Sequence, residues 1–353
     1  MISPEWINDD DNQTPLIACL VDERIEVSPD LSELLKIYDV NEEYPHWSVH
    51  PDRYYEDQLP IFFLLDKHMY GTGDVYRTEE WILPRLQILV QHEVDFNVHR
   101  RDEESRTYPN VTTPLYIAMV HLGSLPLANI MIENGANIRF QRIGYEPILC
   151  SLVKLQSWRP RMDVIRFALE KGADPNDCDE DGLTPLILGI RANVMCAVCA
   201  LLNNGADPFM KSQPDDLFGG ASETTPLEMA SKRGHTHCLL ECIWHIEKKL
   251  RETEYFVEER LWDVRGKVVR PLLWACASGG LSCFEPLMVL YMRCNDGPYH
   301  KKRRVIPEYV REEQEVANDQ WKTNLLYRSL YIACKSARTD IIMYCVKSLM
   351  ADF

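Results

Sequence analysis

The chain has 353 residues, 46% hydrophobic and 26% charged, with a formal charge of −16. The hydrophobic share supports a buried core and excludes general disorder, and no uncharged apolar run approaches the roughly 18 residues of a membrane helix. Charge is unevenly placed, with net −14 over residues 1–100, −6 over 101–230 and +4 over 231–353. An acidic bulk argues against general binding to DNA or RNA, whose affinity comes mostly from cations on phosphates. It suits a basic protein partner steered by the long-range field. The start carries Asp9, Asp10 and Asp11 where a secretory signal would be basic and then apolar, so a cytosolic or nuclear location is expected. Twelve cysteines in so long a chain read as free thiols rather than a disulfide scaffold.

The first predicted helix opens at Thr14-Pro15-Leu16. The same word returns at Thr113-Pro114-Leu115, Thr184-Pro185-Leu186 and Thr225-Pro226-Leu227, with weaker forms at Leu59-Pro60-Ile61, Glu146-Pro147-Ile148 and Arg270-Pro271-Leu272. A Thr before Pro caps a helix, its hydroxyl accepting orphan N–H groups, and Pro fits the first turn because its missing N–H would be unpaired there. A second word follows at Gly135-Ala136-Asn137, Gly172-Ala173-Asp174 and Gly205-Ala206-Asp207, degenerating to Glu93-Val94-Asp95 and Tyr38-Asp39-Val40-Asn41. Its Gly suits a left-handed residue that stops a helix.

Between the two words the pattern predicts helix, turn, helix. From Pro185 to Gly205, Leu186 and Gly189 begin the first helix, Ala192-Asn193 turns, and Val198, Leu201 and Leu202 line the second. Pro226 to Ile243 repeats this with Gly234 in the turn, and His237–Arg260 reads as one long helix. The last unit spans Ser329–Lys347, packing through Ala333, Cys334, Ile341, Ile342, Cys345 and Val346. The small residues Ala118, Gly189, Ala230, Ala275 and Ala333 are expected where first helices pack closely.

This arrangement resembles the ankyrin repeat, and Gly172 through Leu186 match that family's loop and Thr-Pro-Leu opening almost position by position. The resemblance implies an all-α, ankyrin-type helical repeat solenoid of about seven or eight helix–turn–helix units with atypical ends. Residues 1–110 are then diverged acidic repeats with an aromatic insertion, 111–245 the best-matching repeats, and 246–353 diverged repeats with long insertions and a cap. Insertions fall at Tyr44–Gln58, Gly71–Glu80, Leu155–Pro160, Gln213–Gly220, Leu250–Val269 and Asn295–Asn324. The position after Thr-Pro-Leu, often His in the family, holds Ile17, Tyr116, Ile187 and Glu228.

What the resemblance implies about function is a non-enzymatic intracellular scaffold that binds a protein partner through hairpin tips and first helices. The expected contacts are Arg139, Gln141, Arg142, Asp179, Glu180, Leu183, Phe209 and Lys211. The alternative is an adaptor that brings a client to a larger complex such as a ubiquitin ligase. No catalytic residue, metal or cofactor is expected, nor a nucleic-acid or membrane partner.

Five constellations have competing chemical readings. Asp177-x-Asp179-x-Asp181-Gly182 spells the start of a calcium loop, but the twelfth position is Leu188 where a bidentate carboxylate is needed. His235, His237, Cys238, Cys242 and His245 are zinc-ligand types, yet the repeat register turns both cysteines inward, so core packing is favoured. Cys196-x-x-Cys199 lies within a predicted helix, away from the N-terminus that would lower a thiol pKa. Lys301-Lys302-Arg303-Arg304 is an import signal, an anion contact or a solvated loop. The aromatic insertion, Tyr44-Pro45-His46-Trp47 with Tyr54-Tyr55, serves equally as a binding hot spot or a cover for the first repeat.

Overall fold

The computed structural model describes residues 16, 19–20, 29–43, 59–65, 79–101, 111–140, 145–155, 161–212, 223–252, 257–296 and 308–351. The aromatic insertion, Asp9–Asp11, Gln141, Arg142 and Lys301–Arg304 lie outside them. The chain divides into two compact units, Met1–Leu152 with Arg166–Ala173, and Val153–Ile165 with Asp174–Phe353. Among the described residues the regular structure is helical, apart from one two-residue antiparallel pair, β1 (Arg100–Arg101) with β2 (Val111–Thr112), and an isolated bridge between Val111 and Tyr145.

In the first unit the helices are α1 (Pro29–Leu34), α2 (Pro60–Leu65), α3 (Glu79–Gln91), α4 (Pro114–Tyr116), which runs on into a π-helical turn (Ile117–Leu122), and α5 (Leu125–Glu133). First helices α2 and α4 pack together, and second helices α3 and α5 pack beside them. α2 is buried along its whole length, as its unbroken Pro-Ile-Phe-Phe-Leu-Leu sequence requires. Pro84 lies inside α3, and next to it the buried Arg85 donates to the carbonyls of Cys19 and Trp81 at 3.3 and 3.1 Å.

Two helices then span the boundary in sequence, α6 (Ile148–Leu155) and α7 (Met162–Glu170). The second unit continues with α8 (Pro185–Arg191), α9 (Met195–Asn203), α10 (Pro226–Arg233), α11 (Thr236–Glu252), α12 (Val257–Trp274) with a π turn (Ala275–Gly279), α13 (Leu281–Asp296), α14 (Glu308–Lys335) and α15 (Thr339–Ala351). First helices α8, α10, α12 and α14 stack in that order, and second helices α9, α11, α13 and α15 stack beside them.

The caps form as the words require. Thr113, Thr184 and Thr225 each accept the N–H three residues on at 3.2 Å, with Pro in the first turn. Ala118, Ala230, Ala275 and Ala333 are fully buried. A Cβ on Gly189 would stand 3.4 Å from Val198 Cγ2, so the expected close approach of helices is present.

Several expectations are corrected. Residues 250–269 are largely helix rather than an inserted loop: Val264, Val268 and Leu272 recur one turn apart and bury a stripe of α12. Pro271 therefore sits inside α12 and does not open a helix. The second half of the 295–324 insertion is likewise the start of α14. Of the helix expected over His237–Arg260, the described parts are α11 to Glu252 and α12 from Val257, and residues 253–256 lie outside the described residues. In the last unit Ile341 and Cys345 are fully buried, but Cys334 is exposed because the stripe of α14 that packs runs through Leu325, Leu326, Ser329 and Ala333.

Candidate protein-recognition surface

Each hairpin loop opens with a side chain that closes a local turn. Asp39, Asp95, Asn137, Asp174 and Asp207 accept, through Oδ1, the backbone N–H two residues on, at 2.8–2.9 Å. Such a turn lets a short polar side chain stand in for backbone pairing. The residue it fixes is Asn41, Asn97, Arg139, Asn176 or Phe209.

The three asparagines then reach the following loop. In the first unit Asn41 accepts from Asp95 N–H at 2.8 Å and donates to Glu93 O at 3.1 Å. Asn97 does the same with Asn137 N–H at 2.8 Å and Gly135 O at 3.0 Å. Arg139 stands in the asparagine place and donates Nε to Gly172 O at 2.6 Å. In the second unit Asn176 accepts from Asp207 N–H at 2.8 Å and donates to Gly205 O at 3.3 Å. The carbonyl belongs each time to a left-handed residue, with φ of 95°, 94° and 93° at Gly135, Gly172 and Gly205 and 59° at Glu93. Glu93 thus holds a backbone shape that disfavours a Cβ, which is why Gly is the usual spelling of the word.

The expected contact residues fall into three groups. Arg139, Glu180 and Lys211 are exposed and Phe209 is half-buried, its ring 5.3 Å from Lys267 Nζ. Lys211 pairs with Glu223 at 2.6 Å, which lowers the pKa of that exposed carboxyl. Asp179 and Leu183 are buried and do not face solvent as hairpin tips would. Asp179 Oδ1 accepts the Leu183 N–H at 2.7 Å and Oδ2 lies 3.0 Å from Lys154 Nζ, so the acid of the calcium-like spelling is spent closing its own loop. Gln141 and Arg142 lie outside the described residues.

The His/Cys constellation is dispersed into local contacts. His235 Nδ1 lies 2.7 Å from Ile190 O, and Cys238 Sγ donates to Asn193 Oδ1 at 3.5 Å. Burial pushes the Cys238 thiol up to about 11, raises Cys242 further, and lowers His245, which stands 3.5 Å from Glu241. Among the described residues no group of three or more His, Cys, Asp or Glu could hold a metal. Cys196 is the second residue of α9, nearer the helix start than expected, and is exposed rather than packed. Its neighbour Cys199 has a raised pKa from burial and from Glu241, opposite to a redox-active thiol.

Residues 149–193 match the family model described as ankyrin repeats (many copies). Residues 149–193 carry ankyrin repeats. Within each unit the described residues form stacked pairs of helices. One similar solved structure is the ankyrin repeat domain of Bcl-3, described as a unique member of the IkappaB protein family, at 16% identity and a TM-score of 0.39, covering 62% of this chain and 95% of that one. No curated protein matches the sequence. Ankyrin repeats generally mediate protein–protein interaction.

The ankyrin position that is often His is rebuilt here in different ways. Tyr116, fully buried, donates its hydroxyl to Ser151 Oγ at 2.9 Å. Glu228 buries a carboxylate with Oε1 3.3 Å from Arg270 Nε. Burial raises the Glu228 pKa, against the opposing pull of Arg270, the Thr225 backbone and Lys211. Ile187 is fully buried and apolar. The loop-to-loop asparagines were not singled out from sequence. Their signal was the spacing Asp-x-Asn at 39–41, 95–97 and 174–176.

Proposed function

We propose that the chain is a non-enzymatic protein-recognition scaffold that binds through its ankyrin hairpin loops and first helices. One observation carries this reading: the loops bond to one another through Asn41, Asn97, Arg139 and Asn176, while Glu180 and Lys211 keep exposed side chains. A loop whose polar backbone groups are already paired loses little freedom on binding, which favours recognition by a preformed surface. The acidic repeats of residues 1–110 form a distinct region of the scaffold, and their negative field favours a basic partner there.

The test is affinity capture with the full chain and with a Glu180→Ala, Lys211→Ala variant, each read by mass spectrometry. A protein retained by the wild type and lost from the equally stable variant supports the reading. Identical retention by both removes these loops from recognition.

A further inference from the structure

In the second unit the neighbouring helices α11 and α13 each present one open stripe. On α11 it runs through His237, Leu240, Glu241, Trp244, Lys248 and Glu252, one helical turn apart, while Cys238, Cys242, Ile246 and Leu250 are buried behind it. On α13 it runs through Ser282, Glu285, Val289 and Arg293, with Cys283, Leu287, Leu290 and Cys294 buried behind. Contacts at both ends bring the two stripes onto one face: Thr236 Oγ1 lies 3.1 Å from Ser282 Oγ, and Arg293 donates to Glu247. Three apolar side chains stand in the stripes, with Leu240 42%, Trp244 51% and Val289 39% exposed, and Lys248 Nζ lies 5.4 Å from the centre of a Trp244 ring. The charges on these helices are of both signs: Glu241, Glu247 and Glu252 against Lys248, Lys249 and Arg251 on α11, and Glu285 and Asp296 against Arg293 on α13. Glu247 is buried and pairs with Arg251 and Arg293 of its own chain, Lys249 is exposed to the side of the stripe, and the Asp296 side chain lies outside the described ones. What remains is an ordered pattern, with Glu241 and Lys248 on either side of Trp244 and Glu285 and Arg293 on either side of Val289.

We propose that this face binds the same face of a second copy of the chain, with the two α11 helices antiparallel about a twofold axis that passes between Trp244 and His245. A twofold interface sets one surface patch against itself, so the patch must be complementary to its own half-turn. In this register Glu241 meets Lys248 of the other copy, Glu252 meets His237, and Trp244 packs on its own counterpart beside Leu240. Both contacts between α11 and α13 have the same offset of 46 residues, which places the axis level with Leu290 and Tyr291 on α13. Val289, the midpoint of Glu285 and Arg293, lies about 2 Å along the helix from that level. Those two long side chains therefore meet across the axis as well, and Val289 joins the apolar centre. The helix on the other side of α11, α9, has no charged residue and faces its own counterpart. Beyond α13, α15 carries Asp340, Lys347 and the exposed Met343 and Met350 at the rim. A parallel pairing would set Glu241 against Glu241 and Lys248 against Lys248, so charge selects the antiparallel one. Helices α9, α11 and α13 offer roughly 600 Å² of face per copy, the lower edge of a stable interface, so the dimer exchanges with monomer. The hairpin loops and first helices are not part of this face, so the inference stands apart from their role in recognition.

Size-exclusion chromatography with light scattering, run on the full chain from about 1 to 100 μM, tests this. The mass should rise from 41.0 kDa toward twice that value with concentration. Glu241→Lys and Lys248→Glu should each weaken the dimer about tenfold or more, because each sets like charges against one another across the axis. Mixed one to one, the two variants should recover it: tagged Glu241→Lys should retain untagged Lys248→Glu, since the lysines of one chain then meet the glutamates of the other. Neither tagged variant should retain its own untagged form. Trp244→Glu should abolish the dimer by placing two carboxylates at the axis. Thermal unfolding checks that each variant folds, and Trp244→Glu with Lys248→Glu carries the test if Glu241→Lys does not. Glu180→Ala, Lys211→Ala should stay dimeric, which separates this face from the hairpin loops. A monomer at every concentration, a dimer indifferent to Trp244→Glu or to both charge reversals, or charge-reversed variants that fail to pair on mixing would overturn the proposal.

Discussion

Asn176 accepts the backbone N–H of Asp207 at 2.8 Å and donates to the carbonyl of Gly205 at 3.3 Å. One side chain so pairs both a donor and an acceptor of the next hairpin, and the same bridge recurs at Asn41 and Asn97. Replacing it by Ala leaves both backbone groups to water. Asn176→Ala should lower stability by about 1–2 kcal/mol, and Asn176→Asp, which keeps the acceptor and loses the donor, by less. Urea unfolding measures both. An Ala variant as stable as the wild type would mean that water replaces the bridge at no cost.

Ala230 is fully buried where α10 packs against its neighbours α8 and α12. Ala230→Leu adds volume to a site without room, and should cost about 1–3 kcal/mol. Gly189→Ala is the milder form of the same test, because its new Cβ would meet Val198 Cγ2 at 3.4 Å. A thermal midpoint unchanged in Ala230→Leu would place the packed stripe of α10 elsewhere.

The buried Glu228 gives the fold a pH dependence of defined sign. Its native pKa is raised, chiefly by burial, above the value of about 4.3 for an unfolded Glu. Between those two values the native chain holds the proton more tightly than the unfolded chain. Stability contributed by this group is therefore full below the unfolded pKa and falls as pH rises through the native one. Glu228→Gln removes the titration, so its urea midpoint should gain on the wild type between about pH 4 and pH 7. A constant difference across that range would show that Arg270 fully compensates the buried charge.

The twelve cysteines divide by exposure, with Cys196 and Cys334 exposed, Cys178 and Cys199 half-buried and the rest buried. Burial pushes Cys276 up to about 12 and Cys294 and Cys345 up to about 11. Thiolate is the reactive form, so an aromatic disulfide reagent at neutral pH should modify Cys196 and Cys334 first and the buried thiols only after denaturation. Mass mapping of the first modified peptides decides this. Stoichiometric zinc in the purified chain, lost on Cys238→Ala, Cys242→Ala, would contradict the packing role of those two cysteines.

The sequence by itself determined the local grammar of the repeats. Thr113, Thr184 and Thr225 cap their own helices within three residues, and Gly135, Gly172 and Gly205 take left-handed conformations at the ends of others. Such interactions close over a single turn of chain, so residue type and spacing are enough to read them. The small residues at 118, 230, 275 and 333 were legible for the same reason, since the helix period fixes which face they share. Tertiary structure alone decided what depends on a neighbour tens of residues away. Asp179 looked like an exposed tip until Lys154 and its own loop claimed both oxygens. Cys334 looked inward until the packed stripe of α14 settled on Ala333 and Ser329. The run from Leu250 to Val269 looked like an insertion until Val264 and Val268 found a core to enter. Burial and pairing across repeats depend on which helices stack, and stacking brings together residues that no local spacing relates.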